Sequence, residues 1–579
     1  MRKSILSLAG AFSALVLAAA AAAAAAAQSA SSPQTTPSAL QQVDLLILGG
    51  RVVDGSGAGW FYGDVAVAAG KIHAVSPRGS LTGLSARDTM NATGLVVAPG
   101  FIDIQGHSGF YLLVGDSRVI AKVSQGITTE ILGEGNTPAP LHPTRSLGRN
   151  ADALTRRFAE PNGFGTWLNA MESRGISINV GSFVGGSTLR SYGMAQRSGR
   201  AGPEAMADMK GALTRAMEDG AFGFATALIY PPGVFADTDE LTELARAMQP
   251  YGGLYITHIR SEGDQLLEAV DEAIAIGRES GVPVEIFHLK AGGTRNWSKG
   301  PESIARINAA RAAGIDVQAN MYPYPAGGTG LTSCLPPAAQ EDNRLFARLD
   351  DAAERAKIRA EVEHPTSAWE NLCDLAGPGG VLIARLNSDS LKQYSGMRLN
   401  EIAAARGTDW IETAMMLIRA ERNRVETMYF LMSEENVALN LQQPWMKIGT
   451  DAGGPNPLIA GQGLVHPRAY GTFPRILGRY VRDEGVLSLE EAVRKMTSAT
   501  ARRLGITDRG LIAVGMQADL VVFDPTTIID RATFEQPHQV SEGVVATYVN
   551  GVAVWMHGAH TGAKPGRALR GPGVRNNAP

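Results

Sequence analysis

The chain has 579 residues, 44% hydrophobic and 19% charged, so it is long enough for one large folded domain and a smaller one. Its formal net charge is −3 and it has no basic run, which argues against nucleic acid or an anionic membrane as partner. Two cysteines, Cys334 and Cys373, are too few for a disulfide framework, and the sequence leaves open whether they pair.

The N-terminus is typical of a secretory signal peptide. Arg2 and Lys3 precede an apolar, alanine-rich stretch that ends in small residues. We predict a signal peptide over 1–27 and a disordered leader, rich in Ser, Thr, Pro and Gln, over 28–42. Removal of the two cations takes the formal charge from −3 to about −5. The prediction is an exported protein, periplasmic or secreted, without a stable membrane anchor; a retained anchor is the alternative.

Both ends of the remaining chain contain short β-rich runs that are broken by Gly and Pro. "DLLILGGRVVDGSG" and "DVAVAAGKIHAVSP" lie near the start, and "GMQADLVVFDP" and "GVVATYVNGVAVWMHGAH" lie near the end. An Asn-Gly turn at Asn550–Gly551 indicates a hairpin. We therefore predict one small β-sandwich domain assembled from 43–100 and 506–570; two independent β appendages are the alternative.

The middle of the chain alternates strands with amphipathic helices. "GGLYITHIR", "VPVEIFHLK" and "IDVQANMYPY" are strand-like, and helical patterns of about 15 residues separate them. Such repeated units predict a parallel sheet with right-handed crossovers. We predict a (β/α)8 TIM-like barrel over 101–505, with a doubly wound open sheet as the alternative. A charged helical insert near 331–428 interrupts the alternation and is a candidate lid.

Three histidines follow apolar strand-like runs directly: His107, His258 and His288. The carboxyl ends of parallel barrel strands meet at one face, where active sites form, and neutral imidazole is a common zinc ligand. Two acids have the same placement, Glu134 in "ITTEILGEGN" and Asp451 in "KIGTDAGG". Each of these acids alone could be a turn or cap residue, but the five together predict a metal site.

Seven segments together resemble the amidohydrolase superfamily, and within it the N-acyl-D-amino-acid deacylases, or D-aminoacylases. They are "APGFIDIQGH", "YITHIRSEG", "IFHLKAGG", "YPYPAGGTG", "IGTDAGG", "HPRAYGTFPRILGRYV" and "GMQADLVVFDP". The resemblance covers about Val43 to Arg570. It implies a zinc-bearing (β/α)8 barrel, a small β domain built from both termini, and a lid insert.

The resemblance also assigns roles to individual residues. The two ligand histidines fall on His258 and His288, and the catalytic aspartate falls on Asp451. The arginine that grips the substrate carboxylate falls on Arg468, with a surface ion pair as its alternative role. Further substrate-binding positions of the family fall on Lys290, Tyr230 and Tyr322, whereas a usual serine is replaced here by Gly328.

These residues predict a zinc-dependent hydrolase that cleaves N-acyl-D-amino acids into a carboxylate and a D-amino acid. Zinc activates water, and Asp451 can move its proton. The planar fork of Arg468 suits a small-molecule substrate with a free carboxylate. The alternatives are a cyclic amide, as in dihydroorotase or hydantoinase relatives, a D-configured dipeptide, or a non-catalytic barrel. The acyl group, the side-chain preference and the oligomeric state are not predicted.

The first strand departs from the His-x-His pattern that amidohydrolases commonly have, because Gln105 stands two residues before His107. An amide is a poor zinc ligand compared with imidazole or carboxylate. The deacylases usually place a cysteine ligand after the next strand, in the segment where this chain has Glu134. We predict one tightly bound Zn²⁺ on Glu134, His258 and His288, and a second site at His107 that is weak or absent, with Gln105 as a hydrogen-bonding neighbour. In the alternative, Glu134 only caps a turn.

Overall fold

The computed structural model describes residues 42–146, 151–159, 161–195, 197–366, 369–459, 461 and 463–574. The predicted signal peptide and nearly all of the predicted leader lie outside these residues. In the described part of the chain, no helix is long and apolar enough to cross a membrane.

The centre of the fold is a set of parallel strands in chain order. Two parallel sheets contribute to it, and an isolated parallel bridge between Gly106 and Ala452 joins the first strand to the last. This is the strand order of a (β/α)8 barrel. The strands are Phe101–Asp103, Ile127–Leu132, Asn179–Ser182 continued by Val184–Gly185, Gly223–Ala227, Leu254–His258, Val284–Ile286, Val317–Met321 and Met446–Ile448.

Amphipathic helices cover the outside of these strands. In the helix Leu266–Ser280, Val270, Ile274 and Gly277 are buried at the spacing of one helical face. A Cβ at Gly277 would lie 2.6 Å from the Val284 side chain, so glycine lets this helix pack closely on the next strand. The main barrel helices are Gly163–Arg174, Gly186–Met194, Pro203–Glu218, Thr238–Met248, Leu266–Ser280, Lys299–Ala312, Glu434–Gln442, Arg468–Arg475 continued by Ile476–Asp483, Leu489–Met496 and Ser498–Leu504.

The strands from both chain ends pair in a single nine-stranded sheet. The end of the strand Val43–Val52 pairs with Val96–Pro99, which pairs in turn with Leu520–Phe523. The two termini therefore share one sheet, while its packing as a two-layer sandwich stays a prediction. Its strands are Val43–Val52, Phe61–Ala68, Lys71–Pro77, Ala86–Asn91, Val96–Pro99, Leu520–Phe523, Val544–Val549, Val552–Met556 and Ala559–His560.

The predicted insert is a compact unit between the last two barrel strands. It has an antiparallel sheet of Ala326–Gly330, Val381–Arg385 and Glu426–Phe430, and a hydrophobic core of its own that includes Leu349 and Ile383. Cys334 and Cys373 form a disulfide inside this unit. Its helices are Pro337–Gln340, Leu345–Asp350, Ala352–Glu363, Leu372–Ala376, Leu399–Arg406 and Trp410–Glu421.

Candidate metal and substrate site

Most of the predicted site residues lie at or just beyond the carboxyl ends of the barrel strands, whereas Arg468 begins the helix Arg468–Arg475. His258 is the last residue of the strand Leu254–His258, and His288 and Asp451 follow the next and the last strands of the barrel by two and three residues. The barrel thereby brings together residues that are up to 344 positions apart in sequence, such as His107 and Asp451. These residues share one end of the barrel because parallel strands place all their carboxyl ends on one face.

Glu134, His258 and His288 form the first group of possible metal ligands. Glu134 Oε1 lies 3.2 Å from His258 Nδ1 and 3.2 Å from His288 Nε2, and these atoms lie within 4.8 Å of one another. Burial alone would raise the pKa of Glu134, but the charge of His288 and the neighbouring imidazoles lower it well below its usual value. Glu134 is therefore an ionised carboxylate that faces two imidazole nitrogens.

Two glycines bring Glu134 into this position. Gly133 and Gly135 both have positive φ angles, 114° and 63°, which side chains disfavour. A Cβ at Gly133 would lie 2.4 Å from the carbonyl oxygen of Phe183, and one at Gly135 would lie 2.8 Å from the Ala227 side chain. The chain can therefore turn tightly after its strand and direct the carboxylate toward the barrel axis.

Two site residues have strained backbones. His288 has φ 34° and Asp451 has φ 49°, in the left-handed region that non-glycine residues rarely adopt. Such strain costs about 1–3 kcal/mol at each residue and persists where the surroundings fix the conformation. The neighbouring backbone does so at Asp451, whose N–H donates to the Gln105 carbonyl at 2.8 Å.

The second group of possible ligands consists of His107, Glu134 and Asp451. His107 Nε2 lies 2.9 Å from Asp451 Oδ1 and 3.3 Å from Glu134 Oε2, and its side chain is 41% exposed. Gln105 Nε2 donates to Glu134 Oε2 at 2.6 Å. Gln105 is thus a hydrogen-bonding neighbour, as the sequence predicted, and this contact engages the Glu134 oxygen that is nearer to His107.

Asp451 and Arg468 form a buried ion pair. Arg468 Nη1 lies 2.7 Å from Asp451 Oδ2. Burial alone would raise the pKa of Asp451, but the charge of Arg468 and the hydrogen bond from His107 lower it. Arg468 Nε has no hydrogen-bond partner among the described residues, although it is buried. Asp451 is therefore ionised at neutral pH, and Arg468 keeps a donor for an incoming acceptor.

His466 and the ring of Tyr322 set the position of Arg468. His466 Nδ1 accepts from the Arg468 backbone N–H at 3.0 Å, and its Nε2 donates to the Ala326 carbonyl at 2.9 Å. Burial and the charge of Arg468 hold the pKa of His466 well below its usual value, so this histidine is neutral. The Arg468 guanidinium lies 4.5 Å from the Tyr322 ring centroid. Tyr230 lies across the site, with its ring centroid 5.4 Å from that of His258.

Glu262 belongs to this site although the sequence analysis did not identify it. Glu262 Oε1 lies 2.8 Å from His288 Nδ1 and also accepts from Lys290 Nζ. The predicted substrate-binding Lys290 is therefore engaged with Glu262. A proton on His288 Nδ1, directed at Glu262, leaves Nε2 free to bind a metal. The only signal in the sequence was the spacing of four residues after His258.

Lys122 was also missed, since it is one cation in the apolar segment "VIAKV". Its side chain is 0% exposed, and its Nζ lies 2.8 Å from Asp103 Oδ2, 3.2 Å from Glu130 Oε1 and 2.6 Å from Thr450 Oγ1. Asp103 in turn accepts from the Thr450 backbone N–H at 2.9 Å. This cluster supports the residue that precedes Asp451.

The first group of ligands fits a zinc ion. Two imidazole nitrogens and one carboxylate oxygen are the donor types that zinc binds, and three protein ligands leave a position open at a catalytic site. One nitrogen of each imidazole, His258 Nδ1 and His288 Nε2, faces Glu134 Oε1. Glu262 supplies the outer carboxylate that orients His288. The arrangement can therefore hold a metal beside an ionised aspartate and a partly unpaired arginine.

Comparison with known proteins shows the family to which the chain belongs. Residues 398–555 match the model of an amidohydrolase family. The D-aminoacylase of Alcaligenes xylosoxydans xylosoxydans is 36% identical over 533 residues, 91% of this chain and 98% of that protein. The crystal structure of N-acyl-D-glutamate deacylase from Bordetella bronchiseptica, complexed with zinc and a phosphonate inhibitor, has a TM-score of 0.76 at 33% identity and covers 91% of this chain and 100% of its own. A D-aminoacylase structure with a binuclear metal centre has a TM-score of 0.75 at 34% identity, with the same coverage.

Proposed function

Because the chain belongs to the N-acyl-D-amino-acid deacylases of the amidohydrolase family, we propose that it hydrolyses the amide bond of N-acyl-D-amino acids. The products are a carboxylate and a free D-amino acid. The observation that carries this proposal is the position of Asp451, which lies between the metal-binding group and Arg468. A base beside a metal site and a carboxylate-binding arginine is what hydrolysis of an acylated amino acid requires.

Glu134, His258 and His288 would hold one zinc ion tightly. The bound ion supplies Lewis acidity, which makes water a better nucleophile and an amide carbonyl a better electrophile. His107 completes only a weak second site, because Gln105 replaces the other histidine and donates to Glu134. We therefore expect one tightly bound zinc in this chain, whereas the similar D-aminoacylase has a binuclear metal centre.

The residues of this chain divide the remaining work. Asp451 accepts a proton from the water that attacks the acyl carbon, and it delivers that proton to the nitrogen of the departing amine. Arg468 binds the substrate carboxylate through its planar fork, with Nε available and Nη2 held on the Gly328 carbonyl at 3.2 Å. Tyr322 keeps the guanidinium in place through its ring face. Tyr230 lines the opposite side of the site.

The protein is exported to the periplasm or secreted, and its N-terminal segment is the signal peptide. Support comes from the basic and apolar start of the sequence and from the disulfide between Cys334 and Cys373, which persists in oxidising compartments. Fractionation of cells that express the full chain, followed by mass measurement of the mature N-terminus, tests the proposed cleavage.

A hydrolysis screen of N-acetyl amino acids in both enantiomers, with and without a chelator, tests the proposed activity. We expect turnover of D-enantiomers only, and loss of turnover on chelation that zinc restores. Equal activity on both enantiomers, or preference for a hydantoin without a free carboxylate, would contradict the proposal.

Metal analysis should find close to one zinc per chain, and Glu134→Ala should lose most of it. Full zinc retention in Glu134→Ala would leave that residue as a turn cap.

A further inference from the structure

The insert reaches the barrel through one buried carboxylate, that of Glu370. Glu370 Oε2 accepts three hydrogen bonds, from Ser261 Oγ at 2.6 Å, from the Glu262 N–H at 2.6 Å and from the Gly263 N–H at 2.9 Å. The loop 261–263 follows the strand that ends at His258. One oxygen of the insert therefore fixes the start of a loop that leaves the metal end of the barrel.

The same loop carries the carboxylate that orients a metal ligand. Glu262 Oε1 lies 2.8 Å from His288 Nδ1 and accepts from Lys290 Nζ. Glu370 holds the backbone of Glu262, and the side chain of Glu262 contacts His288. A shift of Glu370 would therefore reach His288 through Glu262. We propose that Glu370 is a positioning residue for the metal centre, through which the insert sets the orientation of Glu262 and thereby of His288. This inference rests on the proposed role of His288 as a metal ligand.

Glu370 lies next to the capped start of a short helix of the insert. The neighbouring Asn371 caps the helix Leu372–Ala376, with its Oδ1 accepting from the N–H groups of Cys373 and Asp374 at 3.1 and 3.2 Å. The disulfide from Cys373 to Cys334 ties that helix to the segment Leu331–Cys334. Because the carboxylate is three residues from a covalent link, its position is coupled to the fold of the insert as a whole.

Close packing leaves the loop little freedom to move away from Glu370. A Cβ at Gly263 would lie 2.7 Å from the Leu375 side chain and 3.4 Å from Glu370 Oε2. The Gly292 N–H also donates to the Glu262 carbonyl at 2.7 Å, which ties the loop to the segment that follows Lys290. Loss of the Glu370 acceptor would leave the buried Glu262 N–H unpaired, so the loop would have to rearrange to satisfy it, whereas the Gly263 N–H would keep Ser261 Oγ at 3.2 Å.

The insert offers a matched control for this contact. Asp374 Oδ2 lies 2.6 Å from Arg295 Nη2 in an exposed ion pair that also joins the insert to the barrel. Asp374 contacts neither Glu262 nor His288 in the described structure. Asp374→Ala therefore removes a contact between the same two bodies without touching the loop 261–263.

The test measures zinc affinity of Glu370→Ala, Glu370→Gln and Asp374→Ala by competition with a chromophoric chelator, starting from the metal-free proteins. Loss of an outer partner of a metal ligand costs about 10–100-fold in metal affinity, which is the loss we expect for Glu370→Ala. Glu370→Gln keeps one acceptor oxygen and should lose less. Asp374→Ala should bind zinc as the wild type does. Hydrogen exchange of peptides that span 261–263 should become faster in Glu370→Ala only.

Wild-type zinc affinity together with wild-type exchange in Glu370→Ala would overturn the proposal. Equal losses of affinity in Glu370→Ala and Asp374→Ala would overturn it as well, because docking of the insert alone would then be responsible. If Glu370→Ala does not fold, the comparison of Glu370→Gln with the wild type decides. A wild-type protein that binds no zinc would contradict the proposed function, and the exchange measurement would still decide whether Glu370 fixes the loop.

Discussion

The two ends of the barrel each bury a lysine, and the two lysines differ in charge and in role. At the carboxyl ends of the strands, Lys122 lies between two carboxylates, Asp103 and Glu130. At the amino ends, Lys447 lies beside one carboxylate, Glu285, which it shares with Arg503. Burial opposes the charged form of both lysines, so the balance of neighbouring charges decides the outcome.

That balance has opposite results at the two ends. Burial would lower the pKa of Lys122, but the charges of Asp103 and Glu130 raise it. Burial lowers the pKa of Lys447 to about 7, because Glu285 offsets it only in part and Arg503 adds to it. Lys122 at the site end of the barrel is thus a buried cation. It donates to Thr450, the residue that precedes Asp451. The opposite end has a charge network that packs the barrel but contacts no site residue in the described part of the chain.

The difference between the two ends predicts that the largest loss of activity comes from the site end, at Asp451. We expect Asp451→Asn to lower kcat about 10²–10⁴-fold, the usual loss when a proton-transfer group is removed. Zinc should remain bound, because Asp451 is not among the three main ligands. Turnover and metal content of the same preparation check this. Near wild-type turnover in the metal-replete variant would remove Asp451 from the chemistry.

The next effect is expected at the lysine behind Asp451. Lys122→Met leaves two buried carboxylates without their cation, so we expect a destabilisation of about 3–5 kcal/mol. If the variant folds, kcat should fall by up to about 10²-fold, since small misplacements of catalytic groups are costly. Urea denaturation and kinetics measure the two quantities. A variant with wild-type kcat would show that the cluster only packs the barrel.

A smaller effect, confined to binding, is expected at Arg468. Arg468→Lys keeps the charge but loses the planar fork, so KM for a substrate with a free carboxylate should rise about 10-fold or more. The matched substrate, amidated at that carboxylate, should be handled alike by variant and wild type. If both substrates are affected to the same extent, Arg468 acts on the structure of the site through Asp451.

The smallest effect on activity is expected at the opposite end of the barrel. Lys447→Met should leave kcat unchanged, because Lys447 contacts no site residue among those described, and it is the control for Lys122→Met. The folded-state pKa near 7 is below the ordinary value of about 10.4, so the wild type gains stability as the pH rises from 7 to 10. Denaturation at pH 7, 8 and 9 should show the wild type gaining on the variant. A wild type that loses stability relative to the variant as the pH rises would contradict the assigned charge.

Several features of the fold and site were predictable because they depend on local sequence. The alternation of strands and helices indicated a parallel barrel, and polar residues after the strands indicated its functional face. His107, His258 and His288 were found in this way, and the structure brings them together with Glu134 and Asp451. Gln105 was predicted only as a hydrogen-bonding neighbour, since it lies two residues before His107 on the same side of the strand, and the structure gives its partner as Glu134.

Other features could not be predicted, since they depend on which distant segments meet. Glu262 and Glu370 are 108 positions apart, and nothing in the local pattern of either indicates the contact. Lys122 has the sequence context of an ordinary buried helix, and only the strands around it reveal the two acids. The pairing of Cys334 with Cys373 likewise depended on the path of the insert.

By itself, then, the sequence determined the barrel, the residue types at its carboxyl face and the likeness to the deacylases, because hydrophobic period and strand-end chemistry are local properties. The tertiary structure alone decided which charges share a buried space. It placed two carboxylates around Lys122 and one around Lys447, and it set the insert's Glu370 on the loop behind His288. A buried charge depends on its neighbours within a few ångströms, and those neighbours come from segments that only folding brings together.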